Sequence, residues 1–313
     1  MRRVSRSSTL LVAVATLAPT ILVGAQAADP PLDRWLLPLR TRVPPGVEVD
    51  LDLSGGDAFP DGGAAVAPGD VVAAAVRLGG RREALPEGRL RGRALRFRVP
   101  MRRPGIATVR VELAARTRAL DSAAVRHYLQ AVGAPDSVWR AYLVEPYPRR
   151  WRERSAAQAT TFVRVASGAR PLPAADASWR AAWHAAARAG DGGGGEPPSD
   201  TPPPTLELLP EADPTGVRAG DTLVVRALRR GVAVAGLTVT LAGGDGGTRV
   251  RKALLPGSGA RRTDAEGRVR LVLPSPGRWL LRATDLRRPT RDPARDAALD
   301  WASEVATVTL SVR

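Results

Sequence analysis

Apolar and acidic residues alternate strictly over residues 47–53. A period of two residues is typical of a β-strand with one buried and one solvated face, so the acidic side chains here are expected to face water. Apolar segments separated by glycine- and proline-containing turns predict three further strands, at residues 71–78, 94–99 and 106–113.

Two helices are predicted after these strands. Asp121 is placed to cap a helix that ends at Gly133, and a second short helix is expected to start at Asp136. The charged segment 149–154 is interpreted as a helical turn, and 160–165 as a returning strand. The pattern therefore predicts an N-terminal β domain over 28–165 with a helical insert near 121–155.

Residues 166–204 contain few groups that a core could bury. A short helix over 178–189 is the one element predicted there, and the segment ends in a run of Gly, Pro, Asp and Ser. Such a composition favours a flexible linker, so we place the domain boundary in this segment.

Short strands at near-regular spacing follow over residues 205–313. The seven predicted strands are 205–209, 222–228, 237–241, 249–254, 268–273, 278–284 and 306–312. About seven short strands in roughly 100 residues are typical of an immunoglobulin-like β-sandwich. The expected fold class is therefore mostly β, with two sandwich-like domains and a small helical insert.

The first 27 residues have the order of a secretory signal peptide. Arg2, Arg3 and Arg6 precede an uncharged stretch over 7–23, and Ala25-Gln26-Ala27 supplies small residues at a cleavage site. The alternative is a membrane anchor, but Pro19 interrupts an apolar run that is shorter than the roughly 20 residues a spanning helix needs. We expect cleavage, a chain that does not span the membrane afterwards, and a periplasmic or secreted location.

Composition narrows the possible chemistry. The chain has no cysteine, which excludes disulfides, thiol catalysis and cysteine-ligated metals. Its net charge is +16, but Lys252 is the only lysine, and the arginines are scattered along the chain. This bias is what a GC-rich coding sequence produces, and dense basic runs with interleaved aromatics are missing, so no nucleic-acid partner is expected.

Several short motifs resemble a known family. They are Asp33-Arg34-Trp35-Leu36-Leu37-Pro38, Val43-Pro44-Pro45-Gly46, Thr205 to Pro214, Arg218 to Thr222, Thr263 to Gly267, Pro276-Gly277-Arg278-Trp279 and Asp300-Trp301. In this order they resemble the domain-of-unknown-function 4198 family of exported bacterial proteins. Some members are described as periplasmic components of cobalt or nickel uptake. The resemblance implies two β-rich domains, the second similar to transthyretin-like (prealbumin-like) sandwiches.

The same resemblance bears on metal binding. Members of the family often carry a His shortly after signal cleavage, directly before the Asp of the first motif, where it could bind a metal together with the new amino terminus. Here that position is Leu32. No cofactor or metal site is therefore predicted for this chain.

Few residues are candidates for a ligand site. The two histidines are His127, expected on an exposed helix face, and His184, which lies beside Trp183 near the linker. Trp183 and His184 are the ligand-contact candidates. Carboxylates at Asp50, Asp52, Asp57 and Asp61 lack the spacing of a calcium loop, and the acidic segment Thr263 to Gly267 is interpreted as a turn.

No nucleophile elbow, phosphate loop or zinc-protease motif occurs, so no catalytic residue is assigned. Most of the large aromatics, including those of the helical insert, are interpreted as core, with a sugar- or peptide-binding platform as the alternative. We expect a non-enzymatic accessory or binding protein of the cell envelope, linked to cobalt or nickel uptake by resemblance. The alternatives are a module that binds a polymer or an unidentified envelope protein, and a glycoside hydrolase.

Overall fold

A computed structural model describes residues 33–56, 59–61, 64–146, 149, 151–166, 206–243, 259–289 and 299–313. The predicted signal peptide, nearly all of the linker, and Leu32, Trp183 and His184 lie outside the described residues. Strands dominate the described ranges, with two α-helices between them, which confirms the predicted mostly β class with a small helical insert. None of the described helices is long and apolar enough to cross a membrane.

The N-terminal part contains ten strands, one 3-10 turn (Pro68–Asp70) and both helices. The strands are β1 (Asp33–Pro38), β2 (Arg42–Val43), β3 (Val47–Gly56), β4 (Ala64–Ala65), β5 (Val71–Leu78), β6 (Arg81–Ala84), β7 (Arg89–Arg91), β8 (Ala94–Met101), β9 (Gly105–Leu120) and β10 (Trp151–Val165). The helices are α1 (Ser122–Ala131) and α2 (Asp136–Leu143).

Eight strands follow in the C-terminal part that the structure describes. They are β11 (Leu206–Pro210), β12 (Thr222–Arg229), β13 (Val232–Ala233), β14 (Thr238–Gly243), β15 (Arg261–Arg262), β16 (Arg268–Val272), β17 (Gly277–Arg287) and β18 (Trp301–Val312). Six of the seven strands predicted here correspond to observed strands. The seventh, 249–254, lies outside the described residues.

The strands form three sheets. The first has the order β1-β3-β8-β7, with β4 paired to β3, and the third has the order β11-β12-β13, with β16 paired to β12. The second sheet is the largest and has the order β15-β14-β17-β18-β10-β9-β5-β6, with β2 paired to β10. This second sheet contains strands from both sides of the predicted domain boundary.

The two halves of the second sheet are joined by a parallel pair. β10 runs parallel to β18, with Glu153 opposite Trp301 and Thr161 opposite Thr309. No pattern in the sequence predicts this pairing, because the paired residues are about 150 positions apart. The predicted halves therefore share one continuous sheet within the compact unit Pro31–Arg313.

Each half nevertheless has an apolar core of its own. The first sheet packs on β5, β9 and β10, with Leu51, Phe97 and Val109 among the buried residues. The third sheet packs on β14, β17 and β18. Because alternate side chains of a strand point to opposite faces, Phe162 of β10 enters the C-terminal core while Val163 enters the N-terminal one.

One local prediction is wrong. Residues 149–154 were expected to form a helical turn, but β10 begins at Trp151 and continues to Val165. Trp151 and Glu153 are buried whereas Arg152 and Arg154 are exposed, which is the two-residue period of a strand. The period is not visible in the sequence because charged residues occupy buried as well as exposed positions. Glu153 is charged but buried, since its partners are remote in sequence.

Candidate functional site

A small pocket of about 30 Å³ lies where β2 and β18 meet beside β10. β18 pairs with β10 as far as Thr161, and β2 pairs with it from Arg164 onward. Phe162 of β10, at the junction, lines the pocket. A volume of this size holds one or two water molecules or a single small polar group.

Six of the nine residues that line the pocket carry a hydroxyl or a guanidinium group. Its hydroxyl-bearing residues are Thr41, Thr215, Thr309 and Ser311, and its arginines are Arg42 and Arg313. No Asp or Glu is among the described residues that line it. The lining is therefore rich in hydrogen-bond donors and positive charge.

Thr309 is the most deeply buried polar residue of this lining, with 2% of its surface exposed. Its backbone carbonyl oxygen accepts a hydrogen bond of 3.3 Å from Thr161 Oγ1. Its own Oγ1 is buried and has no hydrogen-bond partner among the described residues. A buried hydroxyl without a partner costs free energy, so a ligand or water at this position would be stabilising.

Three arginines and one carboxylate surround the pocket. Arg164 Nη1 donates to Asp213 Oδ2 over 3.0 Å, and Arg313 Nη2 donates to the Thr215 carbonyl oxygen over 3.1 Å. Asp213 Oδ1 accepts from both the backbone N (2.7 Å) and Oγ1 (2.6 Å) of Thr215. The carboxylate is thus occupied, while the Arg42 guanidinium makes no hydrogen bond or ion pair among the described residues.

The electrostatic environment of Arg42 reflects this excess of positive charge. Desolvation lowers the pKa of its guanidinium, and the nearby charges of Arg313 and Arg164 lower the pKa further, against the opposing effect of Asp213. Arginine stays protonated at any physiological pH. The shift therefore means that Arg42 has an unfavourable environment which an anion would improve.

A second polar cluster surrounds Glu153, whose side chain is completely buried. Its carboxylate accepts hydrogen bonds from Trp151 Nε1 (2.7 Å), Tyr128 OH (2.9 Å), Arg118 Nη2 (3.1 Å) and the Ser303 hydroxyl. Four donors saturate the accepting capacity of two carboxylate oxygens. This carboxylate therefore connects β9, β10, β18 and α1 through its hydrogen bonds.

Aromatic rings enclose this cluster. Trp151 stacks on Trp301 with ring centroids 4.6 Å apart, and the Arg118 guanidinium lies 3.9 Å from the centroid of the Tyr128 ring. Burial, followed by the charge of Glu153, raises the pKa of Tyr128 well above its ordinary value. Tyr128 therefore remains a protonated donor to Glu153.

Trp35, Tyr142 and Trp151 are at most 1% exposed, as expected of core residues.

Two buried ion pairs connect the halves of the molecule. Arg282 Nη1 donates to Asp33 Oδ1 over 2.9 Å, with both side chains at most 4% exposed. Arg282 Nη2 also donates to the Ala131 carbonyl oxygen at the end of α1. Arg110 of β9 lies 2.8 Å from Glu207 of β11. These charges link strands of different sheets rather than forming an accessible site.

The residues selected from sequence do not form a common site. His127 is exposed on α1, as predicted, and Asp50 and Asp52 pair with Arg96 across the face of the first sheet. Trp183 and His184 lie outside the described residues, so the structure does not place them. Among the residues that are placed, no three His, Asp or Glu side chains are grouped closely enough to hold a metal ion.

The acidic segment around Asp264 is a turn, as predicted. Asp264 Oδ1 accepts from the backbone N of Glu266 (3.1 Å) and of Arg268 (2.7 Å). Gly267 has a φ of +74°, and a Cβ at that position would lie 2.6 Å from the Ala227 carbonyl oxygen. Turn geometry therefore accounts for both Asp264 and Gly267.

The fold and the pocket together define a mostly β, sandwich-type protein with a helical insert. Residues 184–285 match the model of the family described as Domain of unknown function (DUF4198). The resemblance inferred from the sequence motifs is thereby confirmed over that segment, which includes four of the quoted motifs and the described strands from β11 to most of β17. None of the curated proteins matches the chain.

Three solved structures to which the chain is similar are distant in sequence. The D0-D1 domain of intimin is 13% identical, with 88% of this chain and 97% of that chain covered and a TM-score of 0.22. Latent PorU from Porphyromonas gingivalis is 12% identical, covering 95% of this chain and 22% of that one, with a TM-score of 0.19. Trypsin-activated alpha-2-macroglobulin from Escherichia coli is 12% identical, covering 90% and 16%, with a TM-score of 0.19. TM-scores this low do not establish a shared fold.

None of the pocket residues is predicted from the sequence. Arg42, Thr309 and Arg313 occur in strands or next to them without a motif around them. They meet only because β2 and β18 occupy successive positions along β10. No local pattern of residues could have identified this group.

Proposed function

We propose that this chain is an exported, non-enzymatic accessory or binding protein of the cell envelope, associated with cobalt or nickel uptake. Export is supported by the order of charged, apolar and small residues over 1–27. The association with metal uptake rests on the resemblance to family members described as components of such uptake, and the family model that matches residues 184–285 is itself described as a domain of unknown function. With Leu32 in place of the amino-terminal His, the proposed role is contact with another envelope component rather than carriage of the metal ion.

The observation that favours binding over catalysis is the complete burial of the hydrogen-bonded Glu153 carboxylate. A general acid or base must reach its substrate and exchange a proton with it. Glu153, the most deeply buried carboxylate of the described chain, is inaccessible and accepts hydrogen bonds from four donor groups of the protein itself. The acids of the first sheet are likewise engaged by Arg96 and Arg98.

The two parts of the proposal are tested separately. The amino terminus of the protein in its native host is determined by mass spectrometry after cell fractionation. We expect a chain that starts at Ala28 in the extracytoplasmic fraction, and intact Met1 confined to the cytosol would overturn the export proposal.

The mature protein is then dialysed at equilibrium against nickel and cobalt, and incubated with envelope polysaccharides. We expect no stoichiometric micromolar uptake of either metal and no shortening of the polysaccharides. Leu32→His is the matched comparison for metal binding. Glycan cleavage that a single carboxylate substitution abolishes would refute the non-enzymatic role.

A further inference from the structure

The pocket beside β10 has the features of an anion site. Its side-chain charge comes from Arg42 and Arg313, with Arg164 nearby, and the one carboxylate side chain in the group, Asp213, is already bound by Arg164 and Thr215. Three guanidinium groups against one side-chain carboxylate leave an excess of positive side-chain charge at a partly enclosed position. Such an arrangement is unfavourable in the absence of a counter-ion and attracts anions.

The donors of the pocket lie on several walls. β2 contributes Arg42, the end of β18 contributes Thr309, Ser311 and Arg313, and the loop after β11 contributes Thr215. Thr309 also has a buried Oγ1 that lacks a partner among the described residues. Donors from several directions suit an anion with three or four acceptor oxygens better than a planar carboxylate, which is bound best by a single fork of donors.

The size of the pocket limits how much of a ligand can enter. About 30 Å³ accommodates one small oxyanion group, whereas a sugar ring or a nucleobase is several times larger. Phe162 and Leu310 form apolar parts of the lining. They reduce access of water and so strengthen charged hydrogen bonds inside the pocket.

We propose that this pocket binds a phosphate-type oxyanion, with Arg42 and Arg313 supplying charge and the hydroxyls of Thr309 and Ser311 supplying hydrogen bonds. The phosphoryl group can come from inorganic phosphate or from a phosphate monoester whose remainder stays outside. Binding here depends neither on export nor on metal uptake, because it uses only residues of the described sheet and of the adjoining loop.

The test is calorimetric titration of the mature protein with inorganic phosphate, sn-glycerol 3-phosphate and acetate at constant ionic strength. We expect saturable 1:1 binding of a phosphate compound and clearly weaker binding of acetate. Tighter binding of inorganic phosphate identifies the free ion as ligand, and tighter binding of glycerol phosphate identifies a monoester. Absence of saturable binding by both phosphates, or equal binding of acetate, would overturn the proposal.

Arg42→Gln is the decisive variant, since this exposed residue has no partner to lose among the described residues. Losing one charged donor should weaken phosphate binding about tenfold or more. Arg126→Gln makes the same change of charge on the exposed face of α1, which packs at the Trp301 end of β18, about 25 Å along the strand from Thr309. If both variants weakened phosphate binding equally, the loss would reflect the net charge of the protein, and the proposed site would be refuted.

Thr309→Val gives a second, independent measure. The substitution keeps the shape of the side chain but removes the hydroxyl that has no protein partner in the described structure. Folding stability should be maintained or increased, because no protein hydrogen bond is lost. Phosphate affinity should fall severalfold, and unchanged affinity would remove Thr309 from the proposed site.

Discussion

At the scale of single residues, buried charged side chains hold distant parts of this protein together. Glu153 has no exposed surface, yet it is surrounded by an indole, a phenol, a hydroxyl and a guanidinium that all donate to it. A buried ion that is fully hydrogen-bonded is tolerated, whereas removing its charge leaves the partners uncompensated. Arg118, with only 11% of its side chain exposed, is the partner most affected.

Glu153→Gln tests this interpretation. The amide removes the counter-charge of Arg118 and directs two donors toward groups that are themselves donors, so unfolding free energy should fall by about 3 kcal/mol or more. Glu48→Gln is the matched control because the side chain of Glu48 is 59% exposed and lies 3.8 Å from Arg98. Its effect should stay within about 0.5 kcal/mol. Urea unfolding measures both, and similar values for the two variants would contradict the assigned role.

At the scale of elements, the helical insert depends on how its first turn is capped. Asp121 Oδ1 accepts from the backbone N of Ala123 (2.9 Å) and of Ala124 (2.8 Å), satisfying two donors that the helix leaves free. α2 starts differently, since Pro135 at its N-cap position offers no side-chain hydrogen bond. The insert covers Trp151 and Trp301, so its stability affects the neighbouring sheet.

Asp121→Ala should therefore destabilise the protein by about 1 kcal/mol through loss of the cap. Asp136→Ala is the control, because Asp136 occupies the first turn of α2 without making a capping hydrogen bond. It should cost less, about 0.3 to 1 kcal/mol, through the helix dipole alone. Thermal unfolding followed by circular dichroism compares the two variants. A larger effect of the change at Asp136 would show that the Asp121 cap is not the main contribution.

At the scale of the whole molecule, the second sheet unites the two halves, and buried ion pairs reinforce that connection. The pair of Asp33 and Arg282 joins β1 of the first sheet to β17 of the second across 249 positions of sequence. Breaking a buried pair from one side leaves an uncompensated charge, while replacing both partners with apolar residues removes the desolvation cost as well.

A double-mutant cycle of Asp33→Leu and Arg282→Met should show this coupling. Each single variant is expected to lose about 3 to 5 kcal/mol of unfolding free energy, and the double variant should recover a substantial part of the summed loss. The pair Asp50 and Arg98, 3.3 Å apart with 26% and 66% of their side chains exposed, provides the comparison cycle with Asp50→Leu and Arg98→Met. Its coupling should remain below about 1 kcal/mol. Additive effects of the Asp33 and Arg282 changes would refute the buried link.

The sequence by itself determined the local structure of this protein. The alternation over 47–53, the cap at Asp121 and the turn at Asp264 all predicted what the structure contains, because strand period, capping and turn chemistry depend on residues close together in the chain. The resemblance to a family was also readable from short motifs and is supported over residues 184–285.

Only the tertiary structure decided which distant residues meet. The parallel pairing of β10 with β18 placed Glu153 opposite Trp301, and the adjoining position of β2 brought Arg42 close to Arg313. Residues 149–154 were misassigned because the burial of Glu153 depends on Arg118 and Ser303. Such contacts arise from packing between strands remote in sequence, and no local period encodes which strands become neighbours.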